Sequence, residues 1–261
     1  MRIVSTAEIT ANEEVASQIF LLTIFEPLIA QAAMPGQFCM IAAMPHGQTT
    51  DPLLKRPLSI HSVHNGVLSF LYRRIGHGTK LLSQRKTGEC LELIGPLGQG
   101  FDLTNDNYVL VGGGMGIAPI LFAAEDLYAR NKKTVVVLGA RNAAELPERV
   151  LRPFEAASHA LYLLTEDGSL GKKGLVTDDL AKALQQQKTD AILACGPLPM
   201  LNAVHSLAEE FGVSCQVSLE AHMACGIGAC LGCALKARDG GYLHVCKDGP
   251  VVNARLVHWD L

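Results

Sequence analysis

From Tyr108 to Glu220 the sequence alternates short apolar runs with amphipathic ones, and no other feature restricts the possible fold as strongly. YVLVGGG, KTVVVLGAR, ALYLLTED, DAILACGP and CQVSLE read as strands, whereas PILFAAEDLYAR, VTDDLAKALQQQ and PMLNAVHSLAEEFG read as helices by the spacing of their apolar residues. Strands apolar on both faces and separated by helices imply a parallel sheet with helices covering it. Sheets of this kind bind ligands beyond the carboxyl ends of their strands. Here VGGGMGIAP, LGAR, TEDG and ACGP all fall at such ends and converge on one crevice.

The preceding residues follow a different rhythm. IFLLTIF, QFCMIAAM, PLSIHSV and VLSFLYRR are short, rich in β-branched or aromatic residues, and separated by turn formers, which suits a small β-barrel. GHGTKLLSQRKTGE reads as a helical turn leading into the strand CLELIGP. The fold class is therefore β plus α/β: a barrel domain over 1–104, a parallel-sheet domain over 105–220 and a small segment over 221–261. A length of 261 residues suits two compact domains with an appendage. The formal charge of −3, with no basic run, argues against nucleic acid. MRIVSTAEITANEEV has no apolar core of a secretory signal, and no stretch of about twenty apolar residues supplies a membrane span. A soluble, cytoplasmic protein is expected, and in that compartment clustered thiols point to metal before disulfides.

The final segment, EAHMACGIGACLGCALKARDGGYLHVC, holds four of the eight cysteines. Cys225, Cys230 and Cys233 follow a C-x4-C-x2-C spacing, and Cys246 follows after twelve intervening residues. The first portion is the plant-type ligand pattern of a 2Fe–2S cluster. Gly226, Gly228 and Gly232 let the backbone approach a cluster and aim N–H groups at its sulfurs. Structural zinc, which favours paired C-x2-C or His-containing spacings, and buried free thiols are the alternatives. His222 reads as a solvated or hydrogen-bonding side chain, because four cysteines already complete a two-iron site. Cys39, Cys90 and Cys215 lie in apolar runs and read as small buried hydrophobes.

Gly112, Gly113, Gly114 and Gly116 end a strand and open a helix, where bare amides can approach a phosphate; a purely structural turn is the alternative. Glu166 and Asp167 either read a ribose hydroxyl or cap a turn. The acid pair, with no basic group in TEDGS, favours NAD over NADP, although Lys172 and Lys173 stand nearby. RPLSI, followed by LYRR and GHGT, presents a guanidinium and hydroxyls that suit an anionic ligand such as a flavin nucleotide, against the common case of a solvated arginine.

Taken together, RPLS (56–59), GHGTKLLS (76–83), GPLGQGF (95–101), GGGMGIAP (112–119), TEDGSLGKKG (165–174), ACGPLPML (194–201) and CGIGACLGC (225–233) resemble the electron-transfer subunits of dihydroorotate dehydrogenase B, within the ferredoxin-reductase superfamily. The resemblance spans nearly the whole chain. It implies an FAD-binding barrel, an NAD-binding domain and a C-terminal 2Fe–2S segment. Arg56, Pro57, Leu58 and Ser59 would line FAD, with Arg56 near its pyrophosphate and Ser59 near its reactive ring. Leu71, Tyr72, Arg73, Gly78 and Thr79 would complete that site. Gly113, Gly114, Met115 and Gly116, with Glu166 and Asp167, would hold the dinucleotide. Cys195 and Gly196 would border the nicotinamide, making Cys195 and Ser59 the catalytic candidates. Cys225, Cys230, Cys233 and Cys246 would hold the iron. Arg74 and His77 are more basic than the family pattern leads one to expect.

The implied role is a relay in pyrimidine biosynthesis: an FMN-containing catalytic partner oxidises dihydroorotate, and electrons pass through the cluster and FAD to NAD+. A two-plus-two heterotetramer is implied as well. Two other readings stand beside it: a reductase subunit serving another oxidoreductase, and a zinc-bearing binding module that retains the fold without activity.

Overall fold

The computed structural model describes residues 2–45 and 51–259. Its first part is antiparallel, made of β1 (Ile3–Ala16), β2 (Ile19–Phe25), β3 (Phe38–Pro45), β4 (Arg56–Ser59), β5 (Ser62–His64), β6 (Val67–Arg73) and β7 (Cys90–Leu97), with short helices α1 (Pro27–Ala32) and α2 (His77–Leu82). The strand order is β4-β3-β7-β1-β2-β6-β5, and β4 curls back toward β6. Ile9, Leu22, Ile24, Phe70, Leu91 and Leu93 fill the interior of this half-barrel.

The second part alternates β8 (Asn107–Gly113), α3 (Ile117–Ala129), β9 (Lys133–Ala140), α4 (Glu148–Ala156), β10 (Ala160–Thr165), β11 (Lys172–Lys173), α5 (Val176–Gln186), β12 (Ala191–Cys195), α6 (Leu198–Phe211) and β13 (Ser214–Ser218). A hairpin of β14 (Ala234–Lys236) and β15 (Tyr242–His244) follows, and then β16 (Val251–Asn253). The sheet order is β11-β10-β9-β8-β12-β13-β16, parallel except for β16, which pairs antiparallel with β13. Helices α3 and α4 cover one face and α5 and α6 the other. The chain builds outward from β8 through β9 to β10, then continues on the opposite side with β12. The order thus reverses beside β8, which opens a crevice at the carboxyl ends of β8 and β12.

The expected β plus α/β architecture is the one observed. Several details differ from the sequence expectations, beginning with β1 and α1, which the sequence patterns do not mark. PLSIHSV forms two strands, β4 and β5, and an additional helix, α4, lies between β9 and β10 despite Pro153. The C-terminal segment rejoins the sheet through β16 instead of standing apart from it. Cys90 is exposed, because it occupies the first position of β7, where the strand emerges from the barrel; Cys39 and Cys215 are buried as expected.

The two parts are tied together by a buried histidine. His61, 4% exposed, donates from Nδ1 to the carbonyl of Ala118 on α3 at 2.8 Å. Burial lowers its pKa to about 4, although the bond to Ala118 opposes the shift. Because the folded value lies below the ordinary 6.5, the stability it contributes is complete above that pH and is lost as the pH falls toward 4. A loss on the order of 2–3 kcal/mol is expected over that window. Urea midpoints measured across it should show the step in the native protein and a flatter curve in His61→Asn. An equal step in both proteins would show that His61 is not responsible.

Candidate functional site

The thiol site is built from two pieces. Cys225, Cys230 and Cys233 lie on the loop after β13, and Cys246 lies just beyond β15. The sulfurs of Cys233 and Cys246 are 3.3 Å apart and buried, whereas Cys230 is exposed and Cys225 intermediate. Backbone N–H groups are aimed at three of the four sulfurs. Ile227 and Cys230 each donate to Cys225 Sγ at 3.4 Å, Gly228 donates to Cys246 Sγ at 3.1 Å, and Cys246 donates to Cys233 Sγ at 3.4 Å.

These surroundings split the thiols electrostatically. Burial pushes the Cys225 thiol up, but the N–H groups of Ile227 and Cys230 outweigh it and hold the pKa at about 6. Burial, and then the neighbouring Cys233, push Cys246 up to about 12. Ionising the Cys246 thiol therefore requires a compensating cation. Four soft donors with N–H groups directed at them fit a 2Fe–2S cluster. Among the described residues no three His, Cys, Asp or Glu side chains close on a single metal ion. A two-iron cluster divides its ligands between two metals and has no need of such a point.

The second element is a cleft of about 510 Å³ at the strand ends, lined by Gly113, Gly114, Met115, Gly139, Arg141, Glu166, Thr177, Pro197 and Met200 among others. The turn after β8 lies directly on the turn after β12: a Cβ on Gly116 would stand 2.3 Å from the Cys195 carbonyl oxygen and 2.5 Å from the Gly196 nitrogen. Gly114 has φ +54° and nothing within 4 Å of where its Cβ would be, so bare backbone faces the cleft. The cleft fits a dinucleotide, since exposed amides at the head of α3 can meet a pyrophosphate. Cys195 is buried, and burial, with a smaller effect of the nearby Glu220 charge, pushes its thiol up; it is therefore a neutral neighbour at this pH.

The acid pair divides its duties. Glu166 lines the cleft, whereas Asp167 accepts from Ser169 N at 2.9 Å and from Ser169 Oγ at 2.6 Å, so it organises its own turn. Bonds from the Ser169 hydroxyl and N–H hold the Asp167 carboxyl below its ordinary range.

The third element is β4 at the barrel edge. Arg56 Nη1 donates to the carbonyls of Leu54 and Lys55, and the rest of its guanidinium lies across Gly78, where a Cβ would meet Arg56 Nε at 2.1 Å. This cradle fits the pyrophosphate of FAD. The Thr79 hydroxyl is engaged by its own turn, accepting from Ile75 N and Gly76 N. Leu71 and Tyr72 are buried, and Tyr72 donates to Asn12 within the barrel. Arg73 lies elsewhere, lining the nucleotide cleft and donating from Nη2 to Glu145 at 3.0 Å. Arg74 stacks on the Phe20 ring, His77 faces Asp51 at 3.6 Å, and His222 is exposed.

β4 and the thiol loop meet through one side chain. Met40 pairs with Pro57 across β3 and β4, and a Cβ on Gly226 would stand 2.4 Å from Met40 Cγ. Neither Met40 nor Glu145 is apparent as a site residue from sequence. The R-x3-E spacing of Arg141 and Glu145 is the one signal that points to the latter.

Comparison with known proteins agrees with this arrangement. Residues 220–258 match the iron-sulfur cluster binding domain of dihydroorotate dehydrogenase B, and residues 110–206 match the oxidoreductase NAD-binding domain. The dihydroorotate dehydrogenase B (NAD(+)) electron transfer subunit of Caldanaerobacter subterraneus subsp. tengcongensis is 41% identical, covering 98% of this chain and 99% of that protein. Its counterpart in Desulforamulus reducens is 37% identical, covering 97% and 98%. A solved structure of an NADH-dependent reduced ferredoxin-NADP oxidoreductase superposes with a TM-score of 0.86 at 32% identity, covering 98% of this chain and 91% of that one. The fold, the thiol loop and the full-length similarity lead to one assignment: the chain belongs to the family of dihydroorotate dehydrogenase B electron transfer subunits.

Proposed function

We propose that this chain carries electrons from a catalytic partner, which oxidises dihydroorotate, to NAD+, and so serves pyrimidine biosynthesis. The observation that supports this proposal is that a four-thiol loop packs on Met40 of the barrel and that Arg73 of the same barrel lines the dinucleotide cleft. When bound, FAD and the 2Fe–2S cluster supply the redox chemistry, pairs of electrons at the nicotinamide and single electrons at the iron.

The chain's own residues bind and orient. Arg56 and Gly78 cradle the flavin phosphates, with Thr79 shaping the turn that carries Gly78; Pro57 and Ser59 form the face toward its ring, and Leu58, buried in the barrel core, supports the strand from behind with Leu71 and Tyr72. Gly113, Gly114, Met115 and Gly116 take the nucleotide phosphates, and Glu166 takes the adenosine ribose. Ser59 and Cys195 with Gly196 flank the place where flavin and nicotinamide meet. A neutral, buried Cys195 there keeps water and charge away from the reacting carbon. Residues 1–104, 105–220 and 221–261 act as flavin, nucleotide and cluster units. The partner contributes FMN, and two copies of each subunit assemble. A cytoplasmic setting suits eight cysteines that are all free.

Two substitutions test the cluster and the cleft separately. Cys230→Ser should remove most iron and sulfide and lower NAD-linked orotate formation by the reconstituted complex at least about 10–100-fold, the range that even outer-shell changes produce. Cys90→Ser, at an exposed cysteine outside the loop, should leave both unchanged. Equal iron in the two variants would refute the ligand set. Gly114→Asp sets a carboxylate in the cleft at a left-handed position that Asp tolerates. It should weaken NAD+ binding about tenfold or more, with FAD and iron contents intact. Unchanged binding would remove the dinucleotide from the cleft.

A further inference from the structure

The nucleotide cleft is lined by two arginines, Arg73 and Arg141, and by two carboxylates, Glu145 and Glu166. Arg73 comes from β6 of the barrel, Arg141 from the end of β9, and Glu145 from the 3₁₀ turn that follows. A single carboxylate engages both guanidiniums. Glu145 Oε1 accepts from Arg73 Nη2 at 3.0 Å, from Arg141 Nε at 3.0 Å and from Arg141 Nη2, while its Oε2 accepts from the Arg141 backbone N–H at 3.3 Å. The Glu145 side chain is only 12% exposed, whereas that of Arg141 is 66% exposed and open to an entering ligand.

The position of this cluster along the cleft gives it meaning. If the nicotinamide lies by Cys195 on β12, the dinucleotide crosses the head of β8 and its adenosine end falls at β9 and β10, beside Arg141 and Glu166. Two guanidiniums at that end would ordinarily form a phosphate site, because their planar donors match phosphate oxygens in bidentate fashion. Here the donors are already directed at a carboxylate. Glu166 adds a second negative charge that acts on Arg141. A 2′-phosphate arriving there would have to displace Glu145 from its arginines and remain close to it, a like-charge contact that costs affinity. A ribose hydroxyl carries no such penalty.

We propose that Glu145 sets the choice of dinucleotide by occupying Arg141 and Arg73, so that NAD(H) is accepted and 2′-phosphorylated NADP(H) is rejected. The proposal rests on placing the nucleotide in this cleft. It assigns discrimination to a residue that need not touch the ribose, which separates it from the direct role of Glu166.

Isothermal titration of the FAD- and iron-loaded protein with NAD+ and with NADP+ tests it. The expected result is that Glu145→Gln lowers the ratio of the NADP+ Kd to the NAD+ Kd about tenfold or more, the gain of roughly one charge-assisted hydrogen bond. Glu145→Ala, the second variant, should do the same, and adding Arg141→Ala to Glu145→Gln should cancel the gain. 2′,5′-ADP titrated against 5′-AMP should repeat the pattern at the adenosine end alone. An unchanged ratio, or equal weakening of both nucleotides as the loss of a purely structural clasp would produce, overturns the proposal. Unaltered NAD+ binding in Gly114→Asp would instead show that the cleft itself is misassigned, so the two failures are distinguishable.

Discussion

Two of the four clustered thiols, Cys233 and Cys246, are side chains of the main hydrophobic core, 2% and 3% exposed. That core also contains Val109, Val111 and Ile192 of the nucleotide sheet and Phe38, Met40 and Leu97 of the barrel. The same apolar burial therefore fixes three things that would otherwise be independent: the sheet edge, the barrel wall and the deeper pair of the four thiols. β16 secures the arrangement by returning to pair Val217 with Val252 and Ser218 with Val251. Protein interiors are close-packed and transmit strain, so displacing one of these side chains would move its neighbours. The thiols are accordingly held at a constant distance from β4, with Met40 between them.

The second consequence concerns the seam between barrel and sheet. Several contacts cross it, among them the buried His61 bond to Ala118, the Arg73 pair with Glu145, the Arg149 pair with Glu13, and the exposed His64 pair with Glu125 at 3.1 Å. The first lies in a dry, apolar setting and contributes most to stability, because buried hydrogen bonds are costly to leave unmade. The exposed pair contributes little. The pair at Glu145 is the one that touches the cleft, so a contact that fastens the seam also shapes what the cleft admits.

Much of this was legible in the sequence, and the reasons are specific. The strands β8, β9 and β12 are largely buried on both faces and announce themselves as apolar runs. The thiol spacing is fixed by cluster geometry and survives without knowledge of the surrounding fold. α4 is hard to see because ERVLRPFEA carries a proline and a low mean hydrophobic content. β1 exposes one side along much of its length, and its glutamates obscure the alternation. Cys90 reads as buried by its apolar neighbours, yet it is the first residue of its strand, and strand boundaries are what sequence patterns define least well. Glu145 is only half legible for a different reason: its spacing to Arg141 can be read, but its other partner, Arg73, is far upstream and belongs to the other domain. Met40 is hidden in the same way, since a core methionine and a contact between strand and cluster loop look alike in one dimension.

The central claim is electrical continuity from a partner subunit through the thiol loop to the nucleotide cleft. Anaerobic EPR on the complex reconstituted with a dihydroorotate-oxidising subunit tests it most directly. Dihydroorotate added without nucleotide should produce the signal of a reduced 2Fe–2S cluster on this chain, and a subsequent addition of NAD+ should abolish that signal as NADH appears. A cluster that stays oxidised under dihydroorotate while NADH still forms, or one that is reduced but remains so after NAD+ is added, would contradict the account.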